Sequence, residues 1–168
     1  MRRIRSKTHA AASTPRESAS NKPSRPDPYA PKAKLPEPSV CKTCGLSYRR
    51  GRWVRGRGAA QANPVVCPAC RRIADRYPAG VVKLSGAYLR AHREEIEHLI
   101  RHVEEREQQD HPLKRVMGIR ATRGGLEVTT TDAKLAQGIG VAIRRAHQGE
   151  LDSDWSAVEN VMRVSWKR

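Results

Sequence analysis

Cys41-Lys42-Thr43-Cys44-Gly45 and Cys67-Pro68-Ala69-Cys70 are two C-x2-C pairs separated by 22 residues, and they hold all four cysteines of the chain. A C-x2-C turn aims both thiolates into one corner, because its backbone N–H groups face sulfur. Two such turns flanking a small β-structure complete a tetrahedral four-sulfur shell for Zn²⁺. Four thiolates leave no open coordination position, so the metal expected here is structural. Gly45 suits the left-handed residue that such a knuckle needs. The basic neighbours Lys42, Arg49, Arg71 and Arg72 can offset the double negative charge of the centre.

Other uses of the cysteines fit less well. Nothing suggests the oxidising compartment that disulfides need. A redox dithiol requires one pair, usually beside a βαβ pattern, which is absent. A zinc deaminase needs H-x-E and P-C-x-x-C, whereas Val66 precedes Cys67. An iron–sulfur cluster shares the ligand set.

Between the pairs runs Tyr48-Arg-Arg-Gly-Arg-Trp-Val-Arg-Gly-Arg57. Guanidinium forks hold phosphates at two points, and aromatic faces stack on unpaired bases. Arg49, Arg50, Arg52, Trp53, Arg55 and Arg57, joined by Arg71 and Arg72 after the second pair, are therefore the candidate nucleic-acid contacts. Trp53 can equally be a hydrophobic anchor under the ribbon.

Charge extends this reading to the whole chain. The 168 residues carry 33 Lys plus Arg against 17 Asp plus Glu, a formal net charge of +16. Residues 39–83 hold ten cations against one acid (Asp75), residues 1–38 nine against three, and residues 84–168 fourteen against thirteen. The excess lies in the first half, as expected of a segment that meets a polyanion. Apolar residues make up 38%, aromatics 4%, and there is no Phe, which argues against a large enzyme core. No run approaches the ~18 apolar residues of a transmembrane helix. No apolar h-region follows the basic start, which argues against a secretory signal. Arg2, Arg3 and Arg5 among Ser and Ala resemble a transit peptide, but Glu17 and seven prolines before residue 39 argue against one. A cytoplasmic protein is expected.

Three regions follow. Residues 1–38 read as a disordered basic tail, broken by Pro15, Pro23, Pro26, Pro28, Pro31, Pro36 and Pro38. Residues 39–83 form the zinc ribbon. Residues 84–168 form an α+β unit: a helix over 84–108, strands at 114–120 and 126–130 joined at Gly124-Gly125, a helix from Thr131 or Asp132 to His147 ended by Gly149, and a strand over 158–166. The expected fold class is thus α+β, a four-cysteine zinc ribbon followed by a long helix and a small β-β-α-β unit. Gly138 and Gly140 inside the second helix suggest close packing. His98 and His102, at i and i+4 with His92 nearby, have a metal-binding spacing, but a solvated charged face explains them. His98-Leu-Ile-Arg-His102 lacks the internal Glu of a zinc protease. Thr129, Thr130, Thr131 and Asp132 form no nucleophile pattern, and no catalytic set is found.

Cys41-x2-Cys44-Gly45, Arg52-Trp53, Cys67-Pro-x-Cys70-Arg-Arg-Ile73, Pro78-Ala-Gly80, and Gly124-Gly125-Leu126-Glu127 before Ala133 and its helix resemble the N-terminal region of the nonsense-mediated-decay-three proteins. Those are zinc-ribbon adaptors of the large ribosomal subunit, and a set of short bacterial proteins resembles the same region. The resemblance covers roughly residues 39–147. It implies contact with rRNA or a ribosomal subunit. The family usually has eight ligands in two ribbons, against four cysteines here, and its long C-terminal export domains have no counterpart, so an export role is not implied. The expected function is a non-enzymatic RNA-binding protein, with a protein–protein adaptor or a DNA-binding regulator as the alternative.

Overall fold

The computed structural model describes residues 25–31, 33–56 and 61–168. The tail up to residue 24 and Arg57 lie outside the described residues, and with them the expectations placed there.

The cysteine region forms a four-stranded sheet and a short helix: β1 (Ser39–Cys41), β2 (Ser47–Arg49), β3 (Arg52–Val54), β4 (Asn63–Val65) and α1 (Pro68–Ala74). The sheet order is β3-β2-β1-β4, with β1 antiparallel to β2 and parallel to β4. Arg50 and Gly51 join β2 to β3, both at positive φ (52° and 75°), the conformation of a two-residue hairpin turn. Glu37 receives the backbone N–H of both, at 2.6 and 3.1 Å. The core of this unit is small: Leu46, Tyr48, Trp53 and Ala69 with three of the cysteines. So few apolar side chains need a staple such as a metal.

The second unit holds β5 (Gly80–Ser85), α2 (Ala87–Ala91), α3 (Arg93–Asp110), β6 (Val116–Thr122), β7 (Gly125–Thr130), α4 (Ala133–His147), β8 (Glu150–Ser156) and β9 (Val161–Lys167). Its five strands run in the order β6-β7-β5-β9-β8. β5 is central, antiparallel to β7 and parallel to β9. β5 and β6 are both antiparallel to β7, so α2 and α3 form a crossover between parallel strands. Helix α4 lies on β5, β9 and β8, and α3 packs along α4. Val82, Leu84, Leu126, Val128, Val164 and Trp166 of the sheet join Ile96, Ile100, Leu135, Ile139 and Ile143 of the helices in one buried cluster. β5, β7 and most of β9 alternate buried with more exposed positions, as at Val82, Lys83 and Leu84.

The α+β class holds, with four corrections. The boundary expected at 83 cuts through β5: residues 80–83, assigned to the ribbon, and residues 84–85, assigned to the start of the helix, together form the central strand of the second sheet. The helix over 84–108 is two helices, broken at His92 and continuing to Asp110. A further strand, β8, precedes the last one, so the unit is richer than β-β-α-β. The last strand starts at Val161, and Val158 is exposed in the turn before it. The tail is also anchored at its end: Leu35 packs on the ribbon core, and Tyr29 Oη donates to Asp75 Oδ2 at 2.8 Å.

Candidate metal centre and basic face

Cys41 closes β1, Cys44 sits in the knuckle after it, Cys67 caps α1, and Cys70 lies in its first turn. Gly45, at φ +76°, turns the chain back, and its N–H donates to Cys41 O at 2.8 Å. Cys67 donates its N–H to Cys41 Sγ at 3.3 Å, and Cys70 donates to Cys67 Sγ at 3.4 Å. The four sulfurs lie within 4.8 Å of one another, and Cys44 and Cys67 are 3.7 Å apart. A tetrahedron with ~2.3 Å metal–sulfur arms has edges of ~3.8 Å. The donor set therefore fits a metal ion, and all four thiols are free of disulfides. It is the one group of three or more metal-ligating side chains among the described residues, and the histidines of α3 join no such group.

The thiols differ in acidity. Burial pushes the Cys41 thiol up, but N–H groups of Cys67, Cys44 and Thr43 outweigh it and bring it down to about 6. Burial pushes the Cys67 and Cys70 thiols up. Cys44 is the exposed member of the set.

The charge against these sulfurs comes from Arg115, between α3 and β6. It donates Nη2–H to Cys44 Sγ at 3.2 Å, Nη1–H to Cys70 Sγ at 3.5 Å, and Nε–H to Pro112 O at 3.2 Å. Its backbone exchanges hydrogen bonds with Thr131. Burial works against its charge, but the bond to Cys44 and the neighbouring sulfurs outweigh this and raise its pKa. Arg115 lies 71 and 45 residues from those cysteines, so no local signal marks it in the sequence.

The candidate nucleic-acid residues separate into two groups. Arg49, Arg50, Arg52, Arg55 and Arg71 are exposed. Arg49 and Arg52 are direct cross-strand partners on β2 and β3. Among the described residues none of the five pairs with a carboxylate. Arg55 Nη2 donates to Gln108 Oε1 at 2.7 Å. Trp53 and Arg72 are placed otherwise. Trp53 is 8% exposed and stands against Tyr48, with ring centroids 5.4 Å apart, so it anchors the ribbon core and offers no face to a base. Arg72 is 3% exposed; it pairs with Asp27, donates to Tyr77 O at 3.1 Å, and lies 4.3 Å from the Tyr29 ring. Its guanidinium is spent inside the protein.

The arrangement defines a small α+β protein with four clustered cysteines that could hold a metal ion, and beside them an arginine hairpin whose side chains meet no carboxylate among the described residues. No protein-family model, curated protein or solved structure matches the chain, so none of the three comparisons supports the resemblance to the nonsense-mediated-decay-three proteins. No helix among the described residues is long and apolar enough to cross a membrane.

Proposed function

We propose that this chain is a non-enzymatic RNA-binding protein of the cytoplasm, that its four cysteines hold a structural Zn²⁺, and that its target is rRNA or a ribosomal subunit. The observation that carries the reading is the pairing of Arg49 with Arg52. Like charges directly opposite on a hairpin destabilise it. Arg50 in the turn adds a third cation, and Glu37 meets only the backbone of that turn. A polyphosphate chain relieves this repulsion on binding and releases its own counterions. Four thiolates saturate zinc, so the ion supports the hairpin and supplies no chemistry. The charge excess of residues 39–83 supports an anionic partner, and the resemblance of the motifs to a ribosomal adaptor family narrows it to rRNA.

Co-sedimentation of the full chain with ribosomal particles at low and high salt tests the proposal. The expected result is association with one subunit at low salt and release at high salt. A chain that stays unbound at low salt overturns the ribosomal assignment.

A further inference from the structure

A cleft of about 450 Å³ opens between the knuckle at Cys44, the chain after β3 at Arg55, and the loop between α3 and β6 at Pro112 and Arg115. Of the four cysteines, Cys44 alone lines it. Cys44 is exposed, whereas Cys41, Cys67 and Cys70 are 1, 0 and 6% exposed. A small solute that reaches this cluster therefore meets Cys44 first. Cys67 Sγ, from the other C-x2-C pair, stands 3.7 Å from Cys44 Sγ. Oxidation selects a thiolate that is accessible and has a second sulfur in reach to resolve it. A cysteine that ligates a metal is already in the thiolate form. The cluster thus combines one accessible sulfur with a buried partner beside it.

We propose that Cys44 is an oxidation site, at which a hydroperoxide closes a Cys44–Cys67 disulfide and dismantles the ribbon. The Cys44 thiolate attacks the hydroxyl oxygen of the hydroperoxide. The O–O bond breaks, and the alkoxide leaves and takes a proton from solvent. The Cys67 thiolate then attacks the sulfur of the resulting sulfenic acid. The S–O bond breaks, and hydroxide leaves and takes a second proton. Two thiolates, one hydroperoxide and two protons give one disulfide, one alcohol and one water, and two electrons pass from sulfur to the peroxide. The disulfide removes two of the four thiolates, so the site can no longer hold its ion. Besides the cysteines, the buried core of the ribbon is Leu46, Tyr48, Trp53 and Ala69, too little to stand without that staple. The inference rests on the Zn²⁺ assignment of the proposed function and adds its regulation: the arginine hairpin keeps its shape only under reducing conditions.

Hydrogen peroxide, added below stoichiometry to the zinc-loaded full chain, gives the test. Metal release to a metallochromic chelator, cysteine pairing by mass spectrometry of unreduced peptides, and amide exchange are read on the same samples. The expected result is one ion released per disulfide, with Cys44 paired to Cys67. Protection should be lost over β1 to β3 and kept in α4 and β9. A dithiol with added zinc should restore the starting state. Cys44→His keeps a ligand that zinc accepts and should lose metal to peroxide about fivefold more slowly than the parent. If that variant does not load zinc, brief alkylation of the zinc-loaded parent with iodoacetamide decides. Cys44 should be labelled first, and earlier labelling of a buried cysteine overturns the inference. So do a disulfide that omits Cys44, sulfinic acid at Cys44 with no disulfide, and full metal retention in excess peroxide, all of which leave the zinc assignment standing. A chain that takes up no zinc overturns that assignment and this inference with it.

Discussion

Arg115 Nη2 stands 3.2 Å from Cys44 Sγ, and this contact joins the α+β unit to the cysteine knuckle. One guanidinium spans both C-x2-C pairs, since its Nη1 reaches Cys70. The same residue is fixed from behind by Thr131, the residue before the cap of α4. The cysteines are thus held from both units, and the N–H groups of Arg115 partly neutralise their charge.

Replacing Arg115 with Ala should therefore speed metal loss. Groups that hydrogen-bond metal ligands are worth roughly 10–100-fold in metal affinity. Transfer of zinc from the purified protein to a metallochromic chelator measures it. Arg115→Lys keeps the charge but loses the fork, so it should recover only part of the difference. Equal retention in all three proteins would show that the contact does not support the site.

Removing the metal should unfold the ribbon and spare the second unit. The ribbon core has few apolar residues besides the cysteines, and structural zinc supplies folding energy directly. The second unit buries Ile139, Ile143, Trp166 and their neighbours without help from the cysteines. Amide exchange before and after chelation should show protection lost over β1 to β3 and kept in α4 and β9. Cobalt substitution should give the spectrum of a tetrahedral thiolate site. Full protection of the ribbon in the metal-free chain would contradict the structural role of the ion.

Glycines 138 and 140 separate what the sequence tells from what it does not. Both sit inside the helical pattern, and nothing local distinguishes them. In the fold, a methyl group on Gly140 would meet Val164 Cγ1 at 2.6 Å and Leu151 Cδ1 at 2.9 Å, while one on Gly138 meets nothing within 4 Å. Gly138→Ala should stabilise the protein by about 0.5–1 kcal/mol through helix propensity. Gly140→Ala should destabilise it by about 1–3 kcal/mol through overpacking. Urea denaturation of the two variants checks the opposite signs. Periodicity marks α4, β7 and the two cysteine pairs because each carries its own local pattern. It misses β8, where Asp152 and Asp154 sit at the outward positions and depress strand propensity. It divides β5 between the ribbon and the following helix because Val81 and Val82 make too short an apolar run to stand out. Trp53 is ambiguous in the sequence because only the fold decides which face of a three-residue strand is covered.

Acid should weaken the joint between α3 and the strand that follows. Lys114 Nζ lies 2.6 Å from Glu107 Oε2, and this hydrogen bond holds the carboxyl below its ordinary pKa. A lowered carboxyl pKa contributes stability above the unfolded value, and that contribution disappears as pH falls through the folded one. The Glu107 side chain is 41% exposed, so screening limits the pair to less than about 1 kcal/mol. Glu107→Gln should be slightly less stable than the parent at pH 7, and the difference should shrink as the pH falls below the ordinary carboxylate pKa. A difference that does not change with pH would have to come from packing of the side chain.

The cross-strand arginines give the sharpest test of the anionic partner, because stability and binding should move in opposite directions. Arg52→Glu places an acid opposite Arg49. An opposite-charge pair at that position contributes about 0.2–1 kcal/mol, and relief of the like-charge repulsion adds to it. The variant should therefore melt no lower than the parent. Its affinity for single-stranded RNA should fall, because one phosphate contact is lost and a repulsive charge replaces it. The salt dependence should flatten by about 0.7 in log–log slope for the contact removed. Filter binding across a salt series, run beside thermal melts of the same samples, reads both. A variant that is more stable and binds as well as the parent would place the RNA contact away from the hairpin and leave the Arg49–Arg52 pairing without a role in binding.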